Sequence, residues 1–279
     1  MRFEGQVAVV TGGAAGIGRS LVLKLAAEGG RPVIADVDEA GGQALVEAVA
    51  AAGGQALFKR TDILVETDIA CAIAAAEEKF GRLDLLFNNA GVPRTIAPDS
   101  EIADMTADKW RLTLDAHLTS AMLGCRYAIP AMIRARGGAI VNTSSASALA
   151  ATMDLSAYSA AKAGLHALTR EVAVTYGRDN IRCNAVVPGA VMTERGRATL
   201  PPDIIRLFAE ETPLQRLASP DNIADIALFL ASDAAAMVTG QALLADGGMM
   251  SKLPYWLPKM RESRGARFDA TTYSPERDD

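Results

Sequence analysis

Short β-branched runs alternate with longer Ala- and Leu-rich segments along most of this chain, and no other feature narrows its fold so far. The runs Val7–Val10, Pro32–Asp36, Gln55–Arg60, Leu83–Asn88, Ala139–Thr143, Arg182–Val187 and Ala242–Ala245 read as strands. Helix-like stretches lie near 17–28, 39–52, 66–80, 106–134, 156–177 and 220–231. Several runs are apolar nearly throughout, which fits strands covered by helices on both faces. Such alternation builds βαβ units. The expectation is an α/β protein: a doubly wound parallel sheet of about seven strands in a single domain. The 279 residues, half of them hydrophobic, suffice for one sizeable core.

Composition excludes several classes. Lys plus Arg total 28 against 33 Asp plus Glu, a net charge of −5 that argues against a nucleic-acid surface. Cys71, Cys125 and Cys183 are scattered with no CxxC, the usage of a reducing compartment, so a cytoplasmic protein without a metal site is expected. Met1–Gln6 shows no apolar signal region, and no run approaches the ~18 apolar residues of a membrane span. Two segments break the rhythm. Residues 190–215, with Gly196, Pro201, Pro202 and Pro213, read as a mobile flap over a site. Residues 249–279 read as an extension of a 1–248 catalytic domain. Within it, 274–279 read as a disordered end, and the aromatic and basic stretch 253–268 as docking on the body or a neighbouring subunit.

The first strand runs into Thr11-Gly12-Gly13-Ala14-Ala15-Gly16-Ile17-Gly18 and then a helix. A strand, a Gly-rich turn and a helix start suit a dinucleotide pyrophosphate: glycine permits close backbone approach, and the helix N-terminus offers free N–H groups and positive dipole. Asp36 closes the second strand, 18 residues after Gly18. A carboxylate there accepts hydrogen bonds from adenosine ribose hydroxyls and repels a 2′-phosphate. No Arg or Lys follows at 37–40, and Arg19 is placed on the solvent side of the first helix, so the cofactor is read as NAD. The competing role for Asp36 is a helix N-cap.

The chain resembles the short-chain dehydrogenase/reductase family over residues 6–248. The resemblance rests on Thr11-Gly12-xxx-Gly16-Ile17-Gly18, Asp62-Ile63, Asn88-Asn89-Ala90-Gly91, Ser145, Tyr158-xxx-Lys162, Pro188-Gly189 with Thr193, and Asp246-Gly247-Gly248, in that order. It implies a Rossmann-type fold, a homotetramer and further cofactor contacts. Val37 would accompany Asp36 at the adenosine, Asp62 and Ile63 would meet the adenine, and Asn89, Ala90 and Gly91 would line the nicotinamide ribose side. Pro188, Gly189, Val191 and Thr193 would hold the carboxamide, and Tyr158 and Lys162 would contact the cofactor as well.

Tyr158 and Lys162 are four apart in a helix-forming segment and therefore share a face. A free tyrosine, with pKa near 10, is a poor base at neutral pH. An ammonium ~4 Å away at an effective dielectric of about 20 would favour the phenolate by roughly 4 kcal/mol, or about three pKa units before desolvation. Tyr158 would then exchange a proton with an alcohol or ketone oxygen. Ser145, 13 residues earlier and just past a strand, would position that oxygen. Outside the motif set, the pair would read as an ordinary half-buried tyrosine and a solvated lysine. One position departs from the family pattern: His117 stands where a catalytic-site Asn is expected, at a water that links the lysine to solvent. It is expected to replace Asn in that relay and to add a pH dependence below neutrality, the alternative being a tolerated substitution of little consequence.

The substrate pocket is expected between Val92-Pro93-Arg94, Ser147, Leu149, Met153, Ala190, Met192 and the flap. Its largely apolar lining suggests a lipophilic, cyclic or aromatic secondary alcohol or ketone. Apolar residues on more than one face of 106–134 predict a partner subunit there. The extension could close over an adjacent protomer's cleft. Competing functions are a 3-oxoacyl thioester reductase using NADPH, a nucleotide-sensing regulator on the same fold, and an inert structural subunit.

Overall fold

The computed structural model describes residues 1–93 and 96–264. Seven strands form one parallel sheet in the order β3-β2-β1-β4-β5-β6-β7. They are β1 (Val7–Thr11), β2 (Arg31–Asp36), β3 (Leu57–Arg60), β4 (Leu85–Asn88), β5 (Gly138–Thr143), β6 (Ile181–Pro188) and β7 (Ala242–Ala245). β1 pairs with β2 on one side and β4 on the other, so the winding reverses there and a crevice opens at the strands' carboxyl ends.

Successive side chains of a strand point to opposite faces, and β1 uses both. Ala8 and Val10 pack with Leu21, Leu25, Ile223 and Leu228. Those residues belong to α1 (Gly16–Ala27) and α9 (Pro220–Ala231). Val7 and Val9 pack on the other face with Ile73, Ile129 and Val172. They come from α3 (Glu66–Phe80), α5 (Ser120–Arg134) and α6 (Ser156–Tyr176). α2 (Glu39–Ala51) adds Leu45 and Val49 to the first face. Each large side chain buried in this way stabilises the fold by about 1.5–3 kcal/mol.

The stretch expected as one helix over 106–134 is α4 (Ala107–Leu114), a π turn over Asp115–Thr119, and α5. The flap holds two helices, α7 (Glu194–Thr199) and α8 (Pro202–Glu211), of which α8 closes a small apolar cluster of Met192, Ala209 and Leu217. Beyond β7 the chain turns through Met249–Ser251 into α10 (Trp256–Arg264).

Candidate active site

The glycine turn sits at the mouth of the crevice. Gly12 and Gly16 have φ of +63° and +51°, a region that costs other residues free energy. A Cβ on Gly12 would lie 2.9 Å from Ala90 Cα, and one on Gly18 only 2.0 Å from the Gly12 carbonyl oxygen. No side chain caps α1 at Ala15 and no acid stands in its first turn, which leaves the helix dipole open to an anion. Thr11 locks the turn to β4: its hydroxyl donates to the Phe87 carbonyl and accepts from the Asn89 and Ala90 amides. The Asn89 side chain donates to the Thr11 and Gly12 carbonyls, so its amide braces the cradle.

The Asp36 carboxylate accepts from Ala14 N–H at 2.9 Å and Asp38 N–H at 3.1 Å, and so lies against the glycine turn. The cap of α2 is Asp38, which accepts from Gly41 N–H at 3.0 Å; Asp36 is not a helix cap. Val37 beside it is 55% exposed, and Arg19 is exposed on α1. Asp62 accepts from the Leu64 amide, while Ile63 is buried. Across the crevice β6 ends at Pro188. A Cβ on Gly189 would touch that of Asp246 at 3.0 Å, and Val191 packs against the core. Thr193 caps α7 through Gly196 N–H, with its methyl 3.4 Å from where a Cβ on Gly16 would stand. The Asp246 carboxylate accepts from the Gly248 and Met250 amides, which makes Asp246-Gly247-Gly248 a turn that backs the flap.

α6 brings Tyr158 and Lys162 to the ends of β4 and β5. A buried ladder holds it there: Asn88 Nδ2 donates to Asn142 Oδ1, and Asn142 Nδ2 to Thr169 Oγ1, both at 2.9 Å. Lys162 is buried and donates to the Thr143 carbonyl at 2.8 Å; its Nζ lies 5.6 Å from the Tyr158 ring centre. Desolvation pushes the Tyr158 phenol above its ordinary value, and the neighbouring Ser145 hydroxyl offsets this only in part. Desolvation also lowers Lys162 to about 8. The expected lowering of Tyr158 by its neighbour therefore does not hold in the protein alone. The ammonium donates to a carbonyl, and burial penalises both charges.

His117 lies in the π turn, a widened helix turn of a kind often found at functional sites. Its ring meets that of Tyr158 edge-on, with centres 5.0 Å apart. Its Nδ1 is buried without a hydrogen-bond partner. Burial first, and the Lys162 charge second, lower His117 to about 3. This corrects the expected titration of His117 just below neutrality, since the ring stays neutral there. In the unfolded chain it protonates near 6.5. Between those values the unfolded state binds more protons, so stability falls as pH drops from 6.5 toward 3. His117→Asn is expected to remove this loss, worth on the order of 3 kcal/mol at pH 4. Urea unfolding of both proteins at pH 7 and pH 4 measures it, and parallel pH curves would refute it.

A cleft of about 380 Å³ opens beside these groups, lined by Val92, Pro93, Thr113, His117, Ser145, Ser147, Leu155 and Tyr158, with Ala97 and Asp99. A far smaller cavity behind it is shared by His117, Lys162 and Ile63. Of the expected pocket residues, Val92, Pro93 and Ser147 line the cleft. Met192 does not: it is 4% exposed inside the flap's own cluster, which Ala190 also joins. Met153 is 84% exposed and Leu149 51%, and neither borders the cleft. An apolar residue type does not reveal which way it faces. Arg94 lies outside the described residues. No motif singled out Thr11 as the hub of the cradle, or Asp99, which binds the first amides of α6. The threonine that opens the glycine motif was a signal for the first, and nothing local marks the second.

The extension lies on its own chain's flap. Lys252 pairs with Glu211 and stacks over Trp256, and Arg261 binds Glu210 at 3.0 Å, which ties α10 to α8. Residues 265–279, with Arg267, Phe268 and Tyr273, lie outside the described residues.

Comparisons with known proteins bear on this geometry. A family profile described as enoyl-(acyl carrier protein) reductase matches residues 12–250. The cis-4-hydroxycyclohexanecarboxylate dehydrogenase of Sinomonas cyclohexanicum is 43% identical over 246 residues, 88% of this chain and 97% of that protein. The cyclohexanol dehydrogenase of an Acinetobacter species is 34% identical over 90% of this chain and 97% of its own. Among solved structures, a 7α-hydroxysteroid dehydrogenase complexed with NADH and 7-oxo glycochenodeoxycholic acid superimposes with a TM-score of 0.84. It shares 32% identity and covers 88% of this chain and 95% of that one. Parallel sheet, glycine turn and relatives agree: the chain is an oxidoreductase that belongs to the short-chain dehydrogenase/reductase family.

Proposed function

We propose that this protein is an NAD-dependent dehydrogenase of lipophilic cyclic secondary alcohols, with Tyr158 exchanging the proton of the substrate oxygen. The observation that carries the reading is the convergence of Ser145, Tyr158 and His117 on one cleft beside a glycine turn that opens the uncapped start of α1. The uncapped start of α1, with Gly12, Gly16, Ile17 and Gly18, would receive the pyrophosphate. Asp36 and Val37 would receive the adenosine ribose, and Asp62 and Ile63 the adenine. Asn89, Ala90 and Gly91 would flank the nicotinamide ribose, and Pro188, Gly189, Val191 and Thr193 the carboxamide. When bound, the oxidised nicotinamide supplies the hydride acceptor and a positive charge.

Ser145 holds the substrate oxygen by a hydrogen bond, and Tyr158 takes its proton as the carbinol becomes a ketone. Lys162, kept within reach of the Tyr158 ring by Thr143, supplies the local cation that a phenolate needs. His117 shares the small cavity with Lys162, and its neutral, unpaired Nδ1 suits it to hold a water there in place of the family's Asn. Ser147 contributes to the cleft wall. Relatives acting on cyclohexane rings support the cyclic substrate class.

Two separate apolar surfaces support a homotetramer. One groove, of about 690 Å³, runs between α5 and α6 past Met122, Ile129 and Ile133. The other lies at the sheet edge, where Leu243 and Leu244 of β7 are exposed and α9, which carries the exposed Phe229, packs on the same strand. Two different self-complementary faces give a closed tetramer of dyad symmetry. No helix among the described residues is long and apolar enough to cross a membrane, and the three cysteines are free, which suits a cytoplasmic protein.

The test is NAD-linked turnover of a panel of secondary alcohols. Cyclohexanols are expected to exceed sugars and 3-hydroxyacyl thioesters in kcat/KM by at least ~10-fold, the discrimination an apolar pocket supplies over a few methylene contacts. Preferential reduction of 3-oxoacyl thioesters with NADPH would overturn the proposal.

A further inference from the structure

α6 carries Tyr158 and Lys162, yet its own cap position does nothing for it. Leu155 stands there with no side-chain acceptor, and no acidic residue lies in the first turn. The orphan amides of a helix start must find partners elsewhere. Here they find Asp99, from the loop that follows β4. Its Oδ2 accepts from the amide of Tyr158 itself at 2.7 Å, and Oδ1 from Ala157 N–H at 3.1 Å. Oδ1 also accepts from Ser100 N–H at 2.9 Å, which fixes the carboxylate to its own loop. The negative charge lies at the positive end of the helix dipole, a favourable arrangement. Asp99 also borders the 380 Å³ cleft, together with Val92, Pro93 and Ala97 of the same loop. One carboxylate thus joins the wall that substrate would touch to the backbone of the residue that would move the proton.

We propose that Asp99 is a positioning residue: it caps the catalytic helix from across the cleft and sets where the Tyr158 hydroxyl stands relative to substrate. This rests on the reading of Tyr158 as the acid–base group. Asp99 touches no reacting atom and acts through the Tyr158 backbone. Its loss should therefore affect turnover more than coenzyme binding, because the glycine cradle lies on other elements. A displacement of about 1 Å at a catalytic group can cost on the order of 10²-fold in rate.

The experiment compares Asp99→Ala, Asp99→Asn and Tyr158→Phe with the parent enzyme in kcat, coenzyme Kd and melting temperature. Hydrogen exchange of the peptide carrying Ala157 and Tyr158 is followed in each. Asp99→Ala is expected to lose about 10-fold or more in kcat, with coenzyme Kd within about twofold, and to exchange the α6 amides faster. Asp99→Asn keeps one acceptor oxygen and should fall between the two; it carries the test alone if Asp99→Ala does not fold. Unchanged kcat in both Asp99 variants, with Tyr158→Phe inactive, would overturn the proposal while leaving Tyr158 in place. So would a loss of kcat matched by equal losses of coenzyme affinity and thermal stability. An active Tyr158→Phe would remove the acid–base reading, and Asp99 would then have nothing to position.

Discussion

Tyr158→Phe is expected to lower kcat by roughly 10²–10⁴-fold, the contribution general acid–base catalysis makes to such a step. The substitution deletes one oxygen and keeps the ring that packs edge-on against His117, so coenzyme affinity and fold should be retained. The parent enzyme adds a pH signature. Burial holds the phenol above its ordinary value, and the step in the oxidation direction needs it deprotonated. Alcohol oxidation should therefore rise with pH on the alkaline side of neutrality. Steady-state rates from pH 6 to 10, with both proteins, check this. Residual activity in Tyr158→Phe within tenfold of the parent would contradict it.

Asp36→Ala is expected to shift the NAD-over-NADP preference in kcat/KM by about 10–100-fold, as loss of a charge-assisted hydrogen bond worth ~1.5–3 kcal/mol requires. The carboxylate is held in place by two backbone amides, so it is available to a ribose without reorganisation. No basic residue follows at 37–40 to receive a phosphate, and Asp38 adds a second acid nearby. Val37→Arg in the Asp36→Ala background should raise NADP efficiency further, because position 37 follows Asp36 directly and is exposed, so a guanidinium there is free to meet a 2′-phosphate. The two coenzymes, compared at fixed alcohol concentration, provide the measurement. An unchanged ratio would remove Asp36 from the ribose.

The sheet was legible because β1, β2, β4, β5 and β6 are short and largely buried on both faces. β3, half covered and ending in Lys59-Arg60, begins at Leu57, two residues after the expected start at Gln55. The glycine cradle was legible too, since its spacing encodes backbone approach directly. What failed depends on the third dimension. The π turn at His117 joins α4 to α5 and lies against α6, and no residue type announces it. The depression of His117 needs the depth of the crevice and the Lys162 charge, neither visible along the chain. Met192 is as apolar as a pocket residue should be, yet packs inside the flap. Asp99 reaches Ala157 and Tyr158 across 58 and 59 positions, beyond any local pattern.

The central claim is that the cleft beside the glycine cradle oxidises a carbinol by direct hydride transfer. A cyclohexanol deuterated at its carbinol carbon, incubated with the enzyme and NAD, tests it most directly. One deuterium should appear on the reduced nicotinamide for each ketone formed, in the parent enzyme and in the slow residual turnover of Tyr158→Phe alike. Deuterium released to solvent, or ketone formed without reduced nicotinamide, would contradict the account.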